Sequence, residues 1–135
     1  MARTLQAKRD RRLLPAGRYD NQEKSFKADP HSLEMCEGLI DIISAYFNVS
    51  GRELRAPGRG NRAVARVRQI GMYTAHVVLQ LPMAEVGRAF GRDRSTVTHA
   101  CHLVEDLRED RDFEEIVSAV ERVVKTVLAR YGAVR

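Results

Sequence analysis

Apolar residues recur along this chain at spacings of three and four, the mark of helices that bury one face, and the recurrences fall into blocks with clear stops between them. The first block carries Leu33, Cys36, Leu39, Ile40, Ile43 and Phe47. Asp29 followed by Pro30 supplies a cap and a first helical residue, so a helix is predicted from about residue 30 to Phe47. Ser50-Gly51-Arg52-Glu53 has the form of a capping box and predicts a single short helical turn to about Arg55. Pro57, Gly58 and Gly60 then break the chain. Val64, Val67, Ile70, Thr74, Val77 and Val78 define a long central helix from Arg62 to about Leu79; the strand propensity of residues 77–79 is too short a run to override the helical period.

The second half reads the same way. Residues 83–90 form a two-turn helix with Met83, Val86 and Phe90 inward, and Gly91 stops it. A helix from Arg94 or Ser95 to about Leu107 sets Val97, Ala100, Cys101, Val104 and Leu107 on one face and Ser95, Thr98 and His102 on the other. A cap at Asp112 opens a last helix with the stripe Phe113, Ile116, Val117, Val120, Val124, Val127 and Tyr131, ended by Gly132. The fold class is therefore all-α: a compact helical bundle over residues 30–132, with no internal repeat.

A length of 135 residues holds one domain with a core and is too short for two of ordinary size. Apolar residues at 44% and charged residues at 30% argue against wholesale disorder. No apolar run approaches the ~18 residues of a membrane span, and the basic N-terminus is not followed by a hydrophobic segment. A cytoplasmic protein is expected, with no membrane partner.

Charge changes the picture more. The net charge is +5 and is carried mainly by arginine, with lysine only at Lys8, Lys24, Lys27 and Lys125. Arginine forks suit phosphates and guanine edges. Residues 1–29 hold Arg3, Lys8, Arg9, Arg11, Arg12, Arg18, Lys24 and Lys27, a flexible basic arm that either touches phosphates or is a solvated leader. A second cluster, Arg52, Arg55, Arg59, Arg62, Arg66 and Arg68, is opposed within its span only by Glu53. The acidic stretch from Glu105 to Glu115 is expected in solvent or turned away from a polyanion.

Catalytic and metal chemistry find little support. Cys36 and Cys101 lack CxxC spacing and fall on predicted buried faces, which suits reduced core thiols. His99 and His102 flank Cys101, but zinc needs about four ligands and no further Cys or His lies nearby. His99 is expected to pack against the bundle and His102 to face DNA or water. Adjacent Glu114 and Glu115 diverge on a helix. No enzyme, metal or cofactor is predicted.

Two short helices joined by a tight Gly-containing turn, the second opening on an arginine and small hydroxyl side chains, form the arrangement of a DNA-binding helix-turn-helix over about residues 83–107. Short Ser and Thr side chains permit close approach in a major groove, Arg94 reaches a guanine edge, and the helix N-terminus offers unpaired N–H groups to a phosphate.

Two stretches carry a more specific likeness: Val64-Ala65-Arg66-Val67-Arg68-Gln69-Ile70, and the run Glu85 to Ala100, Glu-Val-Gly-Arg-Ala-Phe-Gly-Arg-Asp-Arg-Ser-Thr-Val-Thr-His-Ala. They resemble the C-terminal box-binding domain of the bacterial replication initiator DnaA, over roughly residues 33–128. The resemblance implies an isolated helical bundle that binds an asymmetric site, as a monomer, with one helix in the major groove and a basic loop in the minor groove. By motif position it implies base or neighbouring phosphate contacts for Asp93, Arg94, Ser95 and Thr96, phosphate contacts for Arg68 and Gln69, and a minor-groove role for Arg59 or Arg62. Arg66, Arg92, Thr98 and His102 complete the candidate set. This chain departs from the family pattern in having a single glycine, Gly91, in the turn, Arg94 for the usual histidine and Ser95 for the following threonine.

No G-x-x-x-x-G-K-[ST] phosphate loop occurs in the sequence, so no nucleotide is expected as a ligand. Two functions are left: a duplex-DNA binder that regulates replication initiation or transcription, and an interaction protein that imitates the initiator's domain and binds replication-initiation proteins.

Overall fold

The computed structural model describes residues 30–129 and is all-α among them. The helices are α1 (Pro30–Phe47), α2 (Gly51–Arg55), α3 (Arg62–Tyr73), α4 (Met83–Phe90), α5 (Arg94–Leu107) and α6 (Arg111–Ala129). The basic arm expected over 1–29 lies outside the described residues, as do Tyr131 and Gly132.

Capping chemistry sets most of the boundaries. The Ser50 hydroxyl accepts the Glu53 amide at 3.0 Å while the Glu53 carboxylate accepts the Ser50 amide, closing the predicted box. Asn61 caps α3 by accepting the Val64 amide at 2.8 Å. The last helix begins earlier than the sequence suggests: Asp110, not Asp112, accepts the Phe113 amide at 3.0 Å, and α6 opens at Arg111. An Asp placed three residues before a free amide is the better cap, because its side chain reaches that N–H without bending the helical backbone.

Helix α3 is the centre of the bundle, packed against α1, α2, α4 and α5. It is shorter than the predicted 62–79 span because the chain widens into a π-helical turn at Thr74–Val78. There the Thr74 hydroxyl donates back to the Ile70 carbonyl at 2.8 Å, and the Leu79 amide bonds to the Thr74 carbonyl. The wider turn leaves Val77 and Val78 half-buried and tucks His76 inside, where its Nδ1 bonds to the Leu81 carbonyl at 2.7 Å. A carbonyl only accepts, so Nδ1 carries the hydrogen.

The core joins Leu39, Ile40 and Ile43 of α1, Leu54 of α2, Met72 of α3, Val86 and Phe90 of α4, Val97 and Val104 of α5, and Val117, Val120 and Val124 of α6. Two expected stripes are rotated slightly. On α1 the buried row runs Ser32, Met35–Cys36, Leu39–Ile40, Ile43, and Leu33 is 44% exposed. Eleven residues make just over three whole turns at about 3.6 residues per turn, so the row through Ile43 returns to residue 32. On α6 the row Val117, Val120, Val124, Leu128 leaves Ile116 and Val127 at the surface. Cys36 and Cys101 are buried thiols, and burial pushes each up to about 12, which keeps them protonated.

Arg108 fastens the far end of α5 to α6. It grips Glu114 at 2.6 and 3.0 Å, Glu121 at 2.8 Å and the Tyr73 hydroxyl at 3.0 Å, with its guanidinium 5.7 Å above the Tyr73 ring. Part of the acidic stretch is thus paired on the protein, whereas Arg111 and Glu115 make only an exposed ion pair of little weight. The Arg108 guanidinium, with the Ser118 hydroxyl, holds the Glu114 carboxyl down at about 2, against an ordinary 4.5. A depressed carboxyl stabilises the fold fully above its unfolded value and loses that contribution as pH falls through its folded value. Thermal melts of the wild type should therefore decline from about pH 4.5 toward about 2, and Glu114→Gln should decline less over that window. Parallel curves for the two proteins would contradict the pairing.

Candidate nucleic-acid interface

The turn between α4 and α5 is built from main-chain geometry. Gly91 ends α4 in the left-handed conformation, with φ at 68°, and the Arg92 amide reaches back to the Gly87 carbonyl at 2.7 Å. Asp93 then caps α5, its carboxylate accepting the Thr96 amide at 2.9 Å and the Ser95 hydroxyl at 2.9 Å. The Thr96 amide, followed by these hydroxyl contacts, holds the Asp93 carboxyl below its ordinary range. The single-glycine turn thus closes with a complete cap at each side.

Gly87 makes this closure possible. A Cβ there would lie 2.4 Å from the Arg92 carbonyl oxygen, a main-chain atom with nowhere to retreat. The residue was not singled out from the sequence; a glycine in the last turn of a short helix just before a tight turn is the signal that marks it.

Opposite α5 lies the segment from α2 to α3, with Gly58 and Gly60 at positive φ. Two arginines secure it. Arg68, from α3, is buried and donates from Nε to the Leu54 carbonyl at 2.8 Å and from Nη2 to the Glu53 carbonyl at 3.1 Å. Arg92 donates from Nη2 to the carbonyls of Ala56 at 2.9 Å and Gly58 at 2.7 Å. Burial, then the nearby charge of Arg92, lowers the Arg68 pKa below the usual arginine value.

Between this segment and α5 runs an open groove of about 760 Å³. One wall is cationic, with Arg59 and Arg62, and the other carries Ser95, Thr96 and His99. Gln69 also faces the groove, while Arg68 and Arg92 contribute to its lining from their anchored positions.

The remaining candidates sit elsewhere. Arg66 is half-buried and donates to Gln69 at 3.0 Å, outside the groove lining. Arg94 is exposed at the first position of α5. Thr98 is half-buried with its hydroxyl turned to the Met83 sulfur at 2.9 Å and the Arg94 carbonyl at 3.1 Å, so it faces α4 as much as solvent. His102 is half-buried and away from the groove. His99 does not pack against the bundle as expected but is exposed on the groove wall. Its separation of four from Ser95 and three from Thr96 puts it on their face of the helix. Among the described residues no group of three or more His, Cys, Asp or Glu is placed to hold a metal, and no helix is long and apolar enough to cross a membrane.

A helical bundle presenting a capped, outward-facing second helix beside a basic loop is a helix-turn-helix protein of the nucleic-acid-binding class. A family model described as the bacterial dnaA protein helix-turn-helix matches residues 36–104, just over half of the chain. The chain belongs to that family, that of the initiator's DNA-binding domain, and the match spans the groove and both of its walls.

Gly87→Ala should destabilise the fold by about 1–3 kcal/mol through overpacking against fixed backbone, read as a shift in the denaturant midpoint. Stability equal to wild type would show that the turn has slack.

Proposed function

We propose that this protein binds duplex DNA sequence-specifically, with the start of α5 in the major groove and the 56–61 loop along the adjacent minor groove, and that it regulates replication initiation or transcription at initiator-type boxes. The observation that carries the reading is the groove itself, whose walls bring Arg59 and Arg62 opposite Ser95 and Thr96 although more than thirty residues separate them in sequence. A major groove about 12 Å wide admits one α-helix, and membership of the initiator helix-turn-helix family supports that docking mode.

Roles divide by position. Arg94, Ser95 and Thr96, at the first turn of α5, read base edges, with Arg94 suited to guanine. Arg62 and Gln69 hold phosphates, and Arg59 on the loop enters the minor groove, whose narrow walls concentrate negative potential. His99 joins the phosphate-facing side. Asp93 is engaged in capping and acts by fixing Ser95 and Thr96. One helix-turn-helix with one flanking loop has no two-fold symmetry, so a single chain reads an asymmetric site.

Binding of selected and scrambled duplexes should separate these roles. Arg94→Ala or Thr96→Ala should remove roughly 1–3 kcal/mol of preference for the selected sequence. Arg62→Ala should weaken binding to both duplexes and reduce the salt slope by about one. Equal affinity of wild type and the α5 variants for every duplex would sink the sequence-specific reading. Negligible DNA binding at physiological salt, with initiation proteins recovered by the chain, would favour a protein-binding mimic instead.

A further inference from the structure

We infer that Arg92 is a positioning residue, which locks the minor-groove loop to the recognition helix by hydrogen bonds and does not serve as a phosphate contact. The inference rests on the DNA-binding reading and adds to it the element that sets the spacing between the two DNA-reading parts.

Arg92 stands between the left-handed Gly91 and the cap residue Asp93, and its amide is fixed by the Gly87 carbonyl. Its backbone therefore moves with the turn that aims α5. Its side chain spans to another part of the chain. Nη1 donates to Phe90 at 3.1 Å and Gly91 at 3.3 Å within its own turn. Nη2 donates to Ala56 at 2.9 Å and Gly58 at 2.7 Å, 36 and 34 residues earlier. Both terminal nitrogens are thus occupied by carbonyls.

The loop has little else to hold it there. At Gly58 and Gly60 an added Cβ would meet nothing within 4 Å, so the side of the loop to which it would point is open. Arg59, the cation they flank, is placed by its neighbours: Arg92 upstream at 56 and 58, and the Asn61 cap downstream. A bond from a charged fork to a carbonyl outweighs a neutral one, and a planar fork bridges acceptors that a lysine ammonium at the end of a flexible stem does not. Without Arg92 the exposed carbonyl of Gly58 is taken up by water, so the bundle survives while the loop samples arrangements that do not fit DNA, and apparent affinity drops by the fraction of competent ones.

A double-mutant cycle on the full chain, using the duplex that wild type selects, tests this. Arg92→Ala and Arg92→Lys should each weaken binding roughly tenfold to a hundredfold, the range expected for losing charge-assisted hydrogen bonds. Arg59→Ala should weaken wild type but change little in the Arg92→Ala background, whereas the loss from Thr96→Ala should be the same in both. Without DNA, backbone NMR order parameters at residues 58–60 should fall in both Arg92 variants while those of the interior of α5 stay high. Wild-type affinity in Arg92→Lys, or additive losses with a salt slope reduced by about one, would make Arg92 a phosphate contact and overturn the inference. Unchanged order parameters at 58–60 would overturn it as well. If wild type bound no duplex, the proposed function would fail, and the order parameters would still decide whether Arg92 holds the loop.

Discussion

Two guanidinium groups satisfied by main-chain carbonyls organise this protein's working face. Arg68 comes from α3 and Arg92 from the turn between α4 and α5, and they converge on a single stretch of chain, the carbonyls of residues 53, 54, 56 and 58. A helix end and a glycine loop expose carbonyls, of which, among the described residues, only that of Glu53 also takes a main-chain amide, from Ala56, and the arginines meet that demand without losing their charge to a carboxylate. The groove between the loop and α5 is therefore both fixed in shape and cationic. Removing either partner would leave polar groups unpaired or set the loop adrift, so structure and function share one cause.

The opposite end of α5 is arranged in the contrary sense. Arg108 gathers Glu114, Glu121 and the Tyr73 hydroxyl, which uses acids to anchor α6. The recognition helix is thus held at its start by caps and carbonyls and at its end by an ion cluster, with its core-facing row Val97, Ala100, Cys101 and Val104 packed in between. The acidic side chains engaged there lie outside the groove lining.

Much of this could be read in the sequence because it is local. The Ser50 box, the Gly91 stop, the start of α5 at Arg94 and the apolar rows of α4 and α5 depend on residues within one or two turns, and periodicity reports such contacts directly. The π-helical turn at Thr74–Val78 was not legible, since a side-chain bond to Ile70 and the burial of His76 decide it against the helical pattern. The family likeness led to the groove, but not to the division of labour within it. Arginine is the same letter whether it faces solvent, as Arg59 does, or is drawn inside by carbonyls, as Arg68 is. That distinction depends on contacts across 14 to 36 residues, which no spacing rule encodes. The place of His99 on the Ser95–Thr96 face follows from its spacing of four and three, although the residue was expected to pack against the bundle.

The central claim is that a fixed pairing of recognition helix and basic loop reads one asymmetric DNA sequence. Selection of bound duplexes from a random pool by the wild-type chain addresses it most directly. The account predicts enrichment of a single non-palindromic site, with major-groove positions at one end and an A·T-rich minor-groove stretch at the other. Recovery of unenriched sequence, or of a two-fold symmetric site, would contradict it.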